Sequence, residues 1–180
     1  MNLIDDLLSY NDRLEQRDTN TLELVVIHCT ELPTLEMARE YGERIVHPDT
    51  KTGNSGHYYI DRDGSVYRYV LEDRIAHHVI GRNRNSLGIE MVNLGRYPNW
   101  FDSKHQEVTE EYPGLQLGSL KEFLAELKRR YPQLVKIARH SDLDTLLIPA
   151  QDNRDVRIRR KIDPGPLFPW DEIRNFWLSL

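Results

Sequence analysis

Two histidines and one aspartate stand at positions that favour a metal site. His28 ends the apolar run 24–27, His140 ends a second strand-like run, and Asp163 lies in a turn-forming segment rich in proline and glycine. If these segments converge, they bring together two imidazoles and a carboxylate. That donor set fits zinc, and catalytic zinc sites leave the fourth tetrahedral position to water. The pattern therefore predicts a hydrolytic zinc centre.

Each of these residues alone has an ordinary structural explanation. A histidine at the end of a buried strand is most often a hydrogen-bonded core residue, and an aspartate before proline is common in turns. The three residues together favour a metal site more than any one of them does alone. Two further residues add to this, because Lys161 stands two residues before Asp163 and Glu90 lies in a third predicted strand. The chain has no contiguous His-Glu-x-x-His motif, so the site depends on segments far apart in sequence.

Size and charge favour one enzyme-sized domain. A chain of 180 residues is within the single-domain range and buries about 70% of the surface of its unfolded form. The net charge of −5, with both signs interspersed, argues against nucleic acid as the partner. The basic run 157–161 is the local exception. We expect it to be a solvated loop flank, although it could also face an anionic substrate.

The single cysteine excludes an intrachain disulfide and suits a reducing compartment. Cys29 follows His28 directly, so on a strand its side chain points to the opposite face, and we interpret it as a small core residue. Residues 1–8 carry acidic groups where a signal peptide carries positive charge. The sequence contains no apolar stretch long enough for a membrane span. The expectations are therefore a cytoplasmic location and no membrane partner.

Periodicity along the chain predicts a mixed α/β architecture. A helix over 3–14 would make residues 1–20 an N-terminal helical extension, followed by a catalytic domain over 21–180. The last stretch before the C-terminal helix is expected to be a long loop. The other predicted elements are a strand over 23–28 buried on both faces, a helix over 34–45 capped by Thr34, a hairpin of 58–60 with 66–70, a strand over 87–92, an amphipathic helix over 117–131, a strand before His140 and a helix from Trp170.

Five segments, in the order in which they stand, resemble the motifs of one enzyme family. They are 26–30 (VIHCT), 56–64 (GHYYIDRDG), 85–90 (NSLGIE), 139–142 (RHSD) and 161–166 (KIDPGP). The chain resembles, over about residues 22–178, the zinc-dependent N-acetylmuramoyl-L-alanine amidases of amidase type 2. These include bacterial anhydro-muropeptide amidases, phage T7-type lysozymes and peptidoglycan-recognition proteins. The resemblance implies one α/β domain with a central mixed β-sheet flanked by helices.

The resemblance also implies roles for individual residues. It assigns one zinc ion to His28, His140 and Asp163, and it places Glu90 where the anhydro-muropeptide branch has the acidic residue that acts on the water at the zinc. Lys161 falls at the family's lysine near the metal. The third ligand is aspartate, as in the bacterial branch, whereas the other branches have cysteine.

Two further positions relate this chain to the family's branches. The active-site tyrosine of the phage enzyme aligns with Gly56, so its role is absent here or falls to Glu90. The family shares a histidine in the loop before Glu90, and ungapped counting favours His78 over His77.

The implied chemistry is amide hydrolysis. Glu90 would accept a proton from water and pass it to the departing amine, and Lys161 would stabilise the oxyanion. Arg82, Asn83 and Asn85 stand beside His78 at the expected substrate rim, where such groups suit hydrogen bonds to acetamido sugars and peptide carboxylates.

The implied substrate is peptidoglycan or a muropeptide, cleaved between N-acetylmuramic acid and L-alanine. Two alternatives stay open. The chain could be a peptidoglycan-binding module without catalysis, or a zinc peptidase that acts on stem peptides.

Overall fold

A mixed six-stranded sheet forms the centre of the molecule in the computed structural model, which describes residues 2–180. The strand order is β1-β4-β3-β5-β2-β6, and all neighbours are parallel except β3 and β4. A separate antiparallel pair is formed by β7 and β8. The strands are β1 Leu3–Asp5, β2 Leu24–Cys29, β3 Tyr58–Ile60, β4 Val66–Arg68, β5 Ser86–Met91, β6 Lys136–Arg139, β7 Leu147–Pro149 and β8 Arg157–Arg159, and the helices are α1 Leu35–Gly42, α2 Gly114–Arg130, α3 His140–Leu143 and α4 Trp170–Ser179.

Strand β2 lies inside the sheet and is buried along its whole length, as its apolar run predicts. Its side chains alternate between two faces. Val25, Ile27 and Cys29 pack in a core cluster with residues of α2 and α4, such as Phe123 and Trp177. This confirms Cys29 as a core residue that points away from His28.

The opposite face of the sheet is covered by α1 and by loops. Val26 packs there with Val79, and Ala38 of α1 belongs to a cluster with Tyr59. Helix α1 begins after Thr34, whose hydroxyl accepts a hydrogen bond from the Met37 amide at 3.2 Å, so the predicted N-cap is confirmed. The site described below lies on this face.

The predicted hairpin is confirmed at β3 and β4. Its turn closes with a hydrogen bond from the Asp61 amide to the Ser65 carbonyl at 2.9 Å. Gly64 adopts a φ of 87° in this turn, a conformation that is unfavourable for residues with a side chain.

The N-terminal prediction is wrong. Residues 3–5 form strand β1, which pairs with β4, and the only helical turn within 3–14 is the 3-10 turn Asn11–Arg13. Within the described residues 2–20, the chain is therefore not a helical extension, and residue 1 lies outside the described residues. The cause is tertiary: Arg68 of β4 holds Asp5 with two hydrogen bonds of 2.8 Å, and pairing with the sheet edge outweighs weak helix propensity.

The expectation of a long loop before α4 is wrong in part. Helix α3 and the β7–β8 pair lie within this stretch. Their short length and their proline and charged residues hide the strand alternation in the sequence. Among residues 2–180, no helix combines the length and apolarity needed to cross a membrane.

Candidate metal centre and catalytic cleft

Strand register brings the predicted site residues into one row across the sheet. His28 at the end of β2 is paired with Glu90 of β5, and Glu90 is paired with Tyr59 of β3. Paired residues on adjacent strands share a face of the sheet. The row therefore presents a phenol, a carboxylate and an imidazole to the same cleft.

His140 and Asp163 lie next to His28, at the end of the row opposite Tyr59. Strand β6 pairs with β2 as far as Ile27 and Arg139, so His140, the next residue, emerges beside His28 as the first residue of α3. Asp163 reaches the same point from the turn after β8. The Ser141 amide donates a hydrogen bond to the Asp163 carbonyl at 3.0 Å, which fixes this turn against α3.

The three predicted ligand atoms meet at distances suited to a metal ion. His28 Nδ1 lies 2.9 Å from His140 Nδ1 and 3.2 Å from Asp163 Oδ2, and His140 Nδ1 lies 2.9 Å from Asp163 Oδ2. A tetrahedral site with bonds of 2.0–2.1 Å has ligand atoms about 3.3 Å apart. All three side chains are buried. The structure thus brings the three residues together into a group that can hold a metal ion.

The donor set also fits a cation on electrostatic grounds. The second carboxylate oxygen of Asp163, Oδ1, is buried without a hydrogen-bond partner in the described chain, and such orphan acceptors are rare. Burial alone would raise the pKa of Asp163, yet its close contacts with the His140 and His28 rings hold it well below its usual value. Burial, with the neighbouring His140, lowers the pKa of His28 to about 4. Both shifts favour the unprotonated forms of Asp163 and His28, which are the forms that bind a metal.

His28 is supported from behind by His78. Its outer nitrogen, Nε2, lies 3.0 Å from His78 Nδ1, and His78 Nε2 lies 3.1 Å from the Ser86 hydroxyl, which donates to the Arg82 carbonyl at 2.8 Å. One set of tautomers satisfies the whole chain, with each imidazole N–H donating towards Ser86. A ligand histidine is oriented by such a contact at its second nitrogen.

A glycine makes room for this arrangement. A Cβ on Gly88 would lie 2.6 Å from His78 Nδ1, so a larger residue at this position would displace the ring. Both ring nitrogens of His78 are engaged by protein groups, which gives it a supporting position. Its predicted contact with substrate stays a prediction.

Glu90 lies beside the ligand group formed by His28, His140 and Asp163, with Oε1 3.9 Å from His28 Nδ1. Its side chain is 14% exposed. Burial first, and then the charge of Asp163, raise the pKa of Glu90 to about 8, while the charge of Lys161 opposes the shift. A cation at the ligand group would favour the ionised form. Glu90 therefore has the environment of a proton-transfer group rather than of a solvated strand-edge residue.

Gly56 provides the space for Glu90. A Cβ at this position would lie 2.8 Å from Glu90 Cγ. The space that a side chain at position 56 would need is thus occupied by Glu90.

A cleft of about 640 Å³ opens over this row, and Lys161 and Arg160 lie on its wall together with the three ligand residues and Glu90. Lys161 and Arg160 therefore face the same space as Glu90 and the three predicted ligand residues. Arg160 pairs with the buried Asp144, and Arg159 donates to the Ser141 carbonyl. The expectation that the basic run is a solvated flank is therefore wrong for these two arginines, because protein acceptors hold both of them.

The predicted substrate rim is only partly at the cleft. Asn83 lines it, but its side-chain oxygen accepts hydrogen bonds from the His78 and Val79 amides. Arg82 is exposed and Asn85 binds Glu23, and both lie outside the cleft lining. The 3-10 turn Asn83–Asn85 directs them towards the start of β2, a geometry that composition does not reveal.

Other residues of the cleft had no role predicted from the sequence. They include Tyr59 on the floor and Arg44, Val46, His47, His77 and Ile80 on the rim, and His77 had been set aside in favour of His78. The rings of His47 and His77 are 4.5 Å apart, and Val46 and Ile80 are 50% and 74% exposed. The sequence contained a signal for Val46 and Ile80, because aliphatic residues are unusual inside turn-rich segments.

A family model described as N-acetylmuramoyl-L-alanine amidase matches residues 18–166. The match covers most of the chain, including all three predicted ligand residues, Glu90 and Lys161. This chain belongs to the N-acetylmuramoyl-L-alanine amidase family. The family resemblance drawn from the five motifs is confirmed.

One relative by sequence is a Rickettsia conorii protein named as an N-acetylmuramoyl-L-alanine amidase. It is 31% identical over 134 residues, and the match covers 67% of this chain and 42% of the relative. The chain thus spans less than half the length of this relative.

Solved structures of amidases share the fold. The N-acetylmuramoyl-L-alanine amidase LysC from Clostridium intestinale has a TM-score of 0.65 at 21% identity, over 97% of this chain and 96% of LysC. AmpDh3 from Pseudomonas aeruginosa, in complex with anhydromuramic pentapeptide, has a TM-score of 0.65 at 23% identity, over 87% of this chain and 60% of AmpDh3. The mixed sheet flanked by helices is therefore the fold of the amidase family, as predicted.

Proposed function

We propose that this chain hydrolyses the amide between the lactyl group of N-acetylmuramic acid and L-alanine, which releases the stem peptide from the sugar. The observation that carries the proposal is the single cleft that joins the three-residue ligand group to Glu90 and Lys161 in a chain of the amidase family. The complex of AmpDh3 with anhydromuramic pentapeptide supports a muropeptide as substrate.

We further propose zinc as the metal. Two imidazole nitrogens and one carboxylate oxygen form a donor set that zinc accepts, whereas Mg²⁺ and Ca²⁺ prefer oxygen ligands throughout. A zinc ion in this position supplies a Lewis acid for the amide carbonyl and lowers the pKa of water to about 7. His28, His140 and Asp163 would hold it.

Glu90 acts as the proton-transfer group. Its carboxylate accepts the proton of the attacking water and delivers it to the nitrogen of L-alanine as the amide bond breaks. Its position supports this role, because Oε1 lies 3.9 Å from His28 Nδ1 and the side chain lines the same cleft as the three predicted ligand residues.

Lys161 acts by charge. Its ammonium lies close enough to the row for its charge to lower the pKa values of both Glu90 and Asp163. During attack, negative charge develops on the carbonyl oxygen of the lactyl group, and a fixed cation stabilises that charge more than it stabilises the neutral substrate.

Product analysis tests the proposal. The zinc-loaded protein would be incubated with a purified muropeptide of known structure, and the products separated by liquid chromatography and identified by mass. We expect two products, the intact stem peptide with a free L-alanine amine and the muramic acid sugar.

The alternatives give other results. Cleavage within the peptide would identify a zinc peptidase, and binding without any product would identify a binding module. The same incubation with His140→Ala is the control for a contaminating amidase.

A further inference from the structure

Arg96 is a buried cation outside the proposed reaction steps. Its side chain is 1% exposed and lies beyond the end of β5, between the end of β2 and the segment that follows β8. A buried guanidinium is costly unless each of its donors finds an acceptor.

All five N–H groups of Arg96 have acceptors. Nε and Nη2 bind the two oxygens of Glu31 at 2.7 and 2.9 Å, and Nη1 binds Gln106 Oε1 at 3.1 Å. The remaining two donors bind the backbone carbonyls of Arg159 and Arg160 at 3.1 and 3.2 Å. One side chain thus joins the end of β2 to the two residues immediately before Lys161.

The Glu31 end of this contact is also built for it. Glu31 has a φ of 50°, a conformation that costs free energy and persists only where the surroundings fix it. Its backbone carbonyl accepts a hydrogen bond from the Trp100 indole at 2.9 Å, and its carboxylate also accepts one from the Arg96 amide. Glu31 stands three residues after His28, so Arg96 is anchored to the strand that carries a ligand residue.

We propose that Arg96 is a positioning residue that holds the Lys161 ammonium in register with the metal ligands by fixing the carbonyls of Arg159 and Arg160. This inference rests on the proposed amidase function. The β7–β8 pairing and the hydrogen bond from the Arg160 amide to the Leu146 carbonyl at 2.9 Å hold this backbone to β7, and the two Arg96 contacts are what tie it to the end of β2. A misplacement of 1 Å of a catalytic group costs about 100-fold in rate.

Arginine is required at this position because the contacts diverge. A lysine ammonium keeps the charge and pairs with Glu31, but it is a point charge with three donors and does not reproduce the planar fork. Arg96→Lys is therefore the informative variant, since it avoids leaving Glu31 as an unpaired buried charge while removing the contacts to residues 159–160.

The test is a double-mutant cycle on the zinc-loaded protein, with kcat, KM and zinc content measured on a defined muropeptide. We expect Arg96→Lys to lower kcat about 10- to 100-fold with little change in KM or zinc content. In the Lys161→Met background, the same substitution should have little further effect, because coupled residues are non-additive.

Arg68→Lys is the matched control. Arg68 is also a largely buried fork with four hydrogen bonds, to Asp5 and Glu72, but it joins the outer strands of the sheet. This variant should unfold at lower temperature and retain kcat. Equal losses of kcat for the two variants, or additive losses in the cycle, would overturn the proposal. A loss of zinc from Arg96→Lys as its main effect would overturn it as well.

Amide hydrogen exchange gives a readout that does not depend on the reaction. Exchange of the segment 159–161 should be faster in Arg96→Lys than in the wild type and unchanged in Arg68→Lys. If the wild type releases no peptide from the muropeptide, the proposed amidase function is wrong. Unchanged exchange in Arg96→Lys would separately refute the positioning role of Arg96. If Arg96→Lys does not fold, Glu31→Gln weakens the same contact and should change exchange and kcat in the same direction. Wild-type values for that variant would overturn the proposal.

Discussion

At the scale of single residues, the ligand group depends on neighbours that do not themselves contact the metal position. His28 presents Nδ1 to the group because His78 engages its other nitrogen. Glu90 reaches the group because position 56 carries no side chain. These contacts lead to two predictions.

Glu90→Gln should separate catalysis from metal binding. The substitution keeps the size of the side chain and removes its ability to accept a proton, so turnover should fall by about 10²–10⁴-fold, the usual contribution of a general base. Zinc content and the affinity for an uncleaved muropeptide should stay near wild type. Loss of zinc would instead make Glu90 a ligand, and wild-type turnover would assign the base to another group. Glu122→Gln, at an exposed position of α2, is the control.

His78→Phe should weaken metal binding. The phenyl ring fits the space beside Gly88 but accepts no hydrogen bond, so His28 loses its orientation. Removal of such a supporting partner typically costs about 10- to 100-fold in metal affinity. Competition with a chromogenic chelator measures the affinity. His105→Phe, at an exposed loop residue, should bind zinc as the wild type does, and an unchanged affinity for His78→Phe would refute the supporting role.

At the scale of the elements, strand register decides which side chains meet. Tyr59, Glu90 and His28 share a row because β3, β5 and β2 are parallel neighbours. Helices α2 and α4 cover the other face and leave this row open to the cleft.

Gly56→Ala tests the packing of the segment before β3 against β5. The added methyl group would lie 2.8 Å from Glu90 Cγ and 3.2 Å from the Gly88 carbonyl, so the carboxylate has to move. We expect kcat to fall about 10- to 100-fold with zinc content retained. Gly118→Ala in α2 is the control, since the new Cβ has no described atom within 4 Å and alanine stabilises a helix by about 0.5–1 kcal/mol. Full activity of Gly56→Ala would show that Glu90 tolerates the displacement.

Much of this framework could be predicted from the sequence. Each predicted ligand residue follows or adjoins a segment with its own local signal, such as the apolar run of β2, and their convergence was expected from the central mixed sheet that the family resemblance implied. Strand β1 could not be predicted, because three residues at a sheet edge gain their structure from pairing with β4. The outward direction of Arg82 and Asn85 was hidden for the same reason, since it depends on a turn and on a partner, Glu23, that is distant in sequence.

At the scale of the whole molecule, one face of the sheet supplies stability and the other supplies chemistry. The core between the sheet, α2 and α4 is apolar, whereas the opposite face carries the buried ligand group, Glu90 and the cleft. The two functions are carried by alternate residues of the same strands, as Cys29 and His28 illustrate.

The central claim is that one zinc ion, held by His28, His140 and Asp163, is required for cleavage of the muramoyl amide. The most direct measurement is a zinc titration of chelator-treated protein, with the rate of stem-peptide release from a defined muropeptide followed against zinc per chain. We expect no release at zero zinc, a rise to a plateau near one zinc per chain, and no recovery for His140→Ala. Full turnover in metal-free protein, or a His140→Ala variant that recovers with zinc, would contradict it.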